Sequence, residues 1–125
     1  MTPAPRHARH LPAFILLVLA QRPLHGKAIR LALLETLPGF KVDAGAVYRT
    51  LSRLEEEGQV DFEWNTETRG PARKIYRLTG AGWERLDFWE DDIRRRLGFL
   101  NAFLATLQRV RKHPAAPSPL DPGNY

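Results

Sequence analysis

Apolar residues fall along this chain in several distinct rhythms. Leu11 to Leu19 is apolar almost without interruption, which predicts a short helix enclosed on all sides. From about Gly26 to Leu37, Ile29, Leu33 and Leu37 recur every fourth residue, a helical spacing that Pro38-Gly39 brings to an end. Phe40 and Val42 alternate with Lys41, the mark of a short strand. Val47, Leu51 and Leu54 line one side of the next segment, between Asp43 as N-cap and Gly58 as stop, and this is the clearest helix signal in the chain. A period of two then takes over. Val60, Phe62 and Trp64 alternate with Asp61 and Glu63, and after a loop Lys74, Tyr76 and Leu78 alternate with Ile75 and Arg77, so two strands pair as a hairpin. Thr79 caps a final helix that runs to about Lys112, roughly 33 residues or about 50 Å.

A helix of that length outreaches so small a domain. Leu86, Ile93, Leu100 and Leu107 recur every seven residues, and Leu97 and Leu104 fill the second seam position. The spacing is that of a coiled coil and predicts a second copy of the chain as partner. Phe14, Leu17 and Val18 of the first helix are expected to cover the core and to extend the same seam. The Pro, Arg and His mixture of residues 1–10 reads as a disordered basic arm, and "PAAPSPLDPGNY", residues 114–125, as a disordered tail. Residues 11–79 then form one compact domain and 80–113 a dimerisation helix.

Charge adds a direction. Nineteen Lys and Arg stand against fourteen Asp and Glu in 125 residues, a net +5, which points toward a polyanion. On the third helix Gly45, Arg49, Ser52 and Arg53 fall opposite the apolar stripe, with Tyr48 on its flank. Arg49 and Arg53 are alternatively ordinary solvated bases pairing with Glu56 or Glu57, and Tyr48 a packing residue. The hairpin tip "NTETRGPAR" is too long for a two-residue turn, and Gly70-Pro71 sets Arg69, Arg73 and Lys74 at or beside a projecting end.

Other classes find little support. The chain has no cysteine, which excludes disulfides and thiolate chemistry and suits a reducing, cytoplasmic setting. "MTPAPRHARHLPAFILLVLAQR" imitates a secretory signal, but its apolar run falls far short of the roughly 20 residues of a membrane span, so a retained core helix is expected. A Gly-rich phosphate loop, a nucleophile motif and a His pair at metal-ligand spacing are all lacking, so neither an enzyme nor a cofactor or metal is expected. His25 opens a helix, where it caps or packs. Glu55 to Glu57, and Asp91 and Asp92 before Arg94 to Arg96, read as solvated charge runs.

Three helices followed by a hairpin with a basic tip give a mainly α fold with a small β-hairpin, the order of a winged helix-turn-helix. In that arrangement the third helix enters the major groove of double-stranded DNA and the hairpin reaches phosphates or a minor groove. A protein-docking module of the same fold, without specific DNA binding, would not need both basic surfaces.

The blocks "PLHGKAI", "AVYRTLSRLEEEGQV" and "GPARKIYRLTGAG" resemble, in order and spacing, those of the PadR family of bacterial transcriptional regulators. The likeness is close from Leu11 to Gly82, extends to the final helix by length and position only, and is most specific in the third block. It implies a winged-helix homodimer, usually a repressor, that joins its subunits through the last and first helices and releases its operator when a small molecule binds. A single C-terminal helix resembles the short subgroup. The resemblance puts the recognition-helix tyrosine on Tyr48, the wing bases on Arg73 and Lys74, and the small residues at the helix start on Gly45 and Ala46. Lys27 stands where an aromatic is usual, Ala44 where Pro is frequent, Ala46 where a hydroxyl is common and Ile75 where a second Tyr is common. The Ala46 methyl suits a thymine methyl, and Lys27 a phosphate. The expected DNA surface is therefore Lys27, Gly45, Ala46, Tyr48, Arg49, Arg53, Arg69, Arg73 and Lys74. Trp83, Phe88, Trp89, Phe99 and Phe103 crowd the final helix, where they either pack on the first helix or stack on a flat aromatic or apolar effector.

Overall fold

The computed structural model describes residues 9–37, 39, 41–67 and 69–115. Most of the expected arm (1–8) and tail (116–125), together with Phe40, lie outside them. The order is α1 (Leu11–Gln21), β1 (Leu24–His25), α2 (Gly26–Thr36), α3 (Ala44–Glu56), β2 (Val60–Asn65), β3 (Arg73–Leu78) and α4 (Gly80–Lys112). Two compact units result, one up to Trp89 and one from Glu90 onward.

In the first unit α1 is enclosed over most of its surface, as a helix apolar nearly all round must be, but Leu17 is left exposed and so departs from the expected full enclosure. Its Ile15 and Leu16 are fully buried with Ile29 and Leu33 of α2 and Val47 and Leu51 of α3. One core therefore receives the apolar faces of all three helices, and Val60 and Tyr76 close it from the sheet. α3 begins where Asp43 accepts a hydrogen bond from the Ala46 N–H at 2.7 Å. It ends where Gly58 turns to φ +73°, a left-handed conformation that favours glycine.

The sheet departs from expectation. It has three strands in the order β1-β3-β2, with β2 and β3 paired from Val60↔Leu78 to Asn65↔Arg73. The third strand comes from Leu24 and His25, opposite Tyr76 and Ile75, and not from the Phe40–Val42 alternation. Lys41 to Asp43 carry no strand. Val42 is apolar because it is buried in the core, and its carbonyl accepts the Arg30 Nε–H at 3.0 Å, a bond that ties α2 to the segment before α3.

α4 starts on a shared hydroxyl: Thr79 Oγ1 accepts the Gly82 N–H at 3.1 Å and donates to the Gly58 carbonyl at 2.6 Å. Leu86 and Trp89 pack against the core. In the second unit Leu97, Phe99, Leu100, Phe103 and Leu104 are exposed in the isolated chain. Arg94 pairs with Glu90 and Arg96 with Asp92 one helical turn away. Among the described residues no helix is long and apolar enough to cross a membrane.

Candidate nucleic-acid interface

The core face of α3 fixes what its other face presents. With Val47, Leu51 and Leu54 buried, Gly45, Arg49, Ser52 and Arg53 are left exposed. At the helix start a Cβ on Gly45 would lie 2.9 Å from Arg49 Nη1 and 3.1 Å from Asp43 Oδ1. The Arg49 guanidinium thus folds back over the first turn, and any side chain at position 45 would push it away.

Tyr48 does two things at once. About half of it is exposed, yet its ring lies so close to the start of α2 that a Cβ on Gly26 would come within 2.5 Å of Tyr48 Cε1. Glycine at 26 therefore permits the two helices of the helix-turn-helix to meet through this ring. Beside it opens a cleft of about 420 Å³, lined by His25, Gly26, Lys27, Tyr48, Arg73, Lys74 and Tyr76. Among the described residues the lining includes three cationic side chains and no carboxylate, so the cleft presents a positive field to solvent.

The cations are held differently. Arg73 and Lys27 are exposed. Lys74 is partly engaged: its Nζ sits 4.0 Å over the Phe62 ring and 3.8 Å from Glu55, so it braces β3 against β2 and α3 while keeping part of its surface open. Arg69 is exposed at the hairpin tip, where Asn65 Oδ1 accepts the Glu67 N–H at 3.0 Å. Arg77 is bound to Asp61 at 2.6 Å and lies near Glu63. The Asp61 hydrogen bond and charge raise its pKa further above the ordinary range.

His25 caps α2. Its Nδ1 accepts the Ala28 N–H at 3.2 Å, as an N-cap acceptor should. Burial, then Arg73, then Lys27 lower its pKa below the usual imidazole value, because each disfavours a further positive charge there. Burial raises the Tyr76 phenol, which remains protonated at neutral pH.

The expected residues fall into separate places. Tyr48, Lys27, Arg73 and Lys74 share one cleft. Arg53 lines another of about 410 Å³ with Arg9, Glu57, Arg85, Phe88 and Trp89, one helical turn from Arg49. Val18, expected at a seam between subunits, keeps 4% of its surface; the core of its own chain encloses it and leaves almost nothing for a partner. Phe14 and Leu86 are partly buried against that core, whereas Leu17 is exposed. Of the aromatic set, Trp89 packs on the core and Arg85 stacks on Phe88 at 3.9 Å, while Trp83, Phe99 and Phe103 are exposed. Sequence reasoning did not find the meeting of His25 with Arg73, whose Nη1 lies 3.4 Å from His25 Nε2 across 48 positions of chain. The one signal was the basic Lys27 just beyond it.

Residues 15–87 match the family described as "Transcriptional regulator PadR-like family". No curated protein gives a match. Among solved structures, a PadR-like transcription factor from Bacteroides fragilis shares 30% identity at a TM-score of 0.67, over 78% of this chain and 92% of its own. A PadR family transcriptional regulator from Eggerthella lenta shares 27% at 0.64, over 78% and 84%. TM0937, a conserved protein of unknown function described as a potential transcriptional factor, shares 29% at 0.77, over 90% and 100%.

Proposed function

Because this chain belongs to the PadR-like family of transcriptional regulators, we propose that it is a cytoplasmic, ligand-responsive repressor that binds a two-fold symmetric operator as a homodimer. The observation that carries the reading is the basic cleft, in which Lys27, Tyr48, Arg73 and Lys74 lie beside the exposed start of α3. Such a surface gains affinity for duplex DNA by releasing condensed counterions. Arg49 is assigned to base edges in the major groove, with Gly45 and Ala46 allowing close approach. Arg73, Lys74 and Arg69 are assigned to the backbone beside it. Arg53, one turn further on, takes a peripheral phosphate.

The second subunit is assigned to the exposed apolar residues of α4, and the exposed Leu17 of α1 is assigned to a partner as well. One winged-helix unit makes too few base contacts for operator specificity, and two linked units make twice as many. The exposed rings of α4 are the residues offered to a planar aromatic effector; packing of Trp89 on the core supports a structural role for that residue instead.

The test is to retain fragments of the native genome on the purified protein, sequence them, and measure affinity against salt. Retained sites should carry two half-sites about one helical turn, roughly 10 bp, apart. Arg73→Ala should weaken every sequence alike and reduce the salt slope by about one, whereas Arg49→Ala should cost roughly 1–3 kcal/mol mainly on the operator. An affinity indifferent to salt would remove the DNA reading and leave a protein-docking module. For the effector, planar aromatic compounds that neither quench tryptophan fluorescence nor release operator would leave these rings as packing residues.

A further inference from the structure

The two contacts of the His25 ring cannot both be hydrogen bonds. The Ala28 N–H donates to Nδ1, so Nδ1 carries no proton. A neutral imidazole then carries its proton on Nε2. Yet Nε2 faces Arg73 Nη1 at 3.4 Å, and a guanidinium nitrogen only donates. Two N–H donors therefore meet at the mouth of the cleft. The alternative tautomer would let Arg73 donate to Nε2, but it would turn Nδ1–H against the Ala28 N–H and strip α2 of its cap. In either tautomer the neutral ring can accept from only one of the two N–H groups that face it.

Around this pair the cleft supplies Lys27 from α2, Tyr48 from α3, and Lys74 and Tyr76 from β3. Glu55 lies beyond, paired with Lys74. Every charged group that lines the cleft repels another cation and attracts an anion.

Resting on the DNA reading above, we propose that His25 Nε2–H and the Arg73 guanidinium converge on a single phosphate oxygen of the DNA backbone. One anionic oxygen accepts both donors, leaves Nδ1 free to cap α2, and separates the two groups that the free protein sets against each other. His25 is thus a DNA-contacting residue as well as a cap. Through it the wing and the start of α2 grip the same phosphate, so the hairpin is held in register with the helix-turn-helix.

The premise is testable without DNA. Imidazole nitrogen NMR of the free protein should show His25 with Nε2 protonated and Nδ1 bare; the opposite tautomer would mean that Arg73 already occupies Nε2, and overturns the proposal. In the second measurement, His25→Asn retains a good N-cap acceptor but is too short to reach Arg73. The variant should melt close to wild type, yet bind a short random-sequence duplex about tenfold more weakly, the scale of one hydrogen bond to a charged group. Combining it with Arg73→Ala should weaken binding by less than the product of the two single effects, because both donors serve one oxygen. If His25→Asn binds as wild type does, while Arg73→Ala is weakened, His25 is a cap only and the DNA reading survives. Wild-type protein that binds no duplex at low salt overturns that reading and the phosphate role with it.

Discussion

α1 and the distal part of α4 are both rich in large apolar residues, and they meet opposite fates. In α1, Ile15, Leu16 and Leu19 are buried by the helices and sheet of the same chain. In α4, Leu100, Phe103 and Leu104 leave 58%, 64% and 60% of their surfaces exposed. Apolar content alone therefore says that a segment must be covered, and not by what. Spacing and length say the rest. Eleven residues of α1 fit within one small core, whereas the 33 of α4 exceed it, and heptad spacing favours another helix as cover.

Several measurements sharpen or break that contrast. Leu16→Ala should produce the largest loss of stability, roughly 2–5 kcal/mol by chemical denaturation, since a fully buried leucine leaves a cavity; a loss under about 1 kcal/mol would mean that α1 is less enclosed than described. Leu100→Glu should behave in the opposite way. The chain should keep most of its helical circular dichroism, sediment as a monomer, and lose operator affinity toward the non-specific range of roughly 10⁻⁴ to 10⁻⁶ M. If it stays dimeric and binds normally, the subunits join elsewhere, with Leu17 of α1 the next candidate.

A smaller effect comes from His25. Its lowered pKa means that the folded protein resists a proton that the unfolded chain accepts. Stability from this group is complete above the ordinary value of 6.5 and is lost as pH falls through the lower folded value. Melting curves should show this decline in wild type and a weaker one in His25→Asn; parallel pH profiles would exclude His25 as the source. Removing residues 114–125 should change neither melting, sedimentation nor DNA affinity.

Much of this was legible in the sequence because local signals agreed. Asp43 and Thr79 cap the helices they were expected to cap, and Gly58 stops α3. The alternation in Val60–Trp64 and Lys74–Leu78 gave the hairpin nearly to the residue. β1 was not legible, because two residues are too few to alternate and their pairing with Tyr76 and Ile75 is a long-range event. Val42 misled for a related reason: core burial and strand alternation place an apolar residue in the same way. The candidate site was legible as a set of cations but not as a cleft. Nothing local tells that Gly26 must admit the Tyr48 ring, or that Arg53 and Arg49 face different surroundings.

The Thr79 hydroxyl narrows what substitution can accept at that position. At most helix starts Ser, Thr, Asp and Asn are near equivalents, since the cap has only to accept. Here the same oxygen must also give a proton to the Gly58 carbonyl, so an aspartate would set a negative charge against a carbonyl oxygen. Related chains that keep this joint should therefore vary between threonine and serine and avoid aspartate, a restriction written by the end of α3 on the first residue before α4.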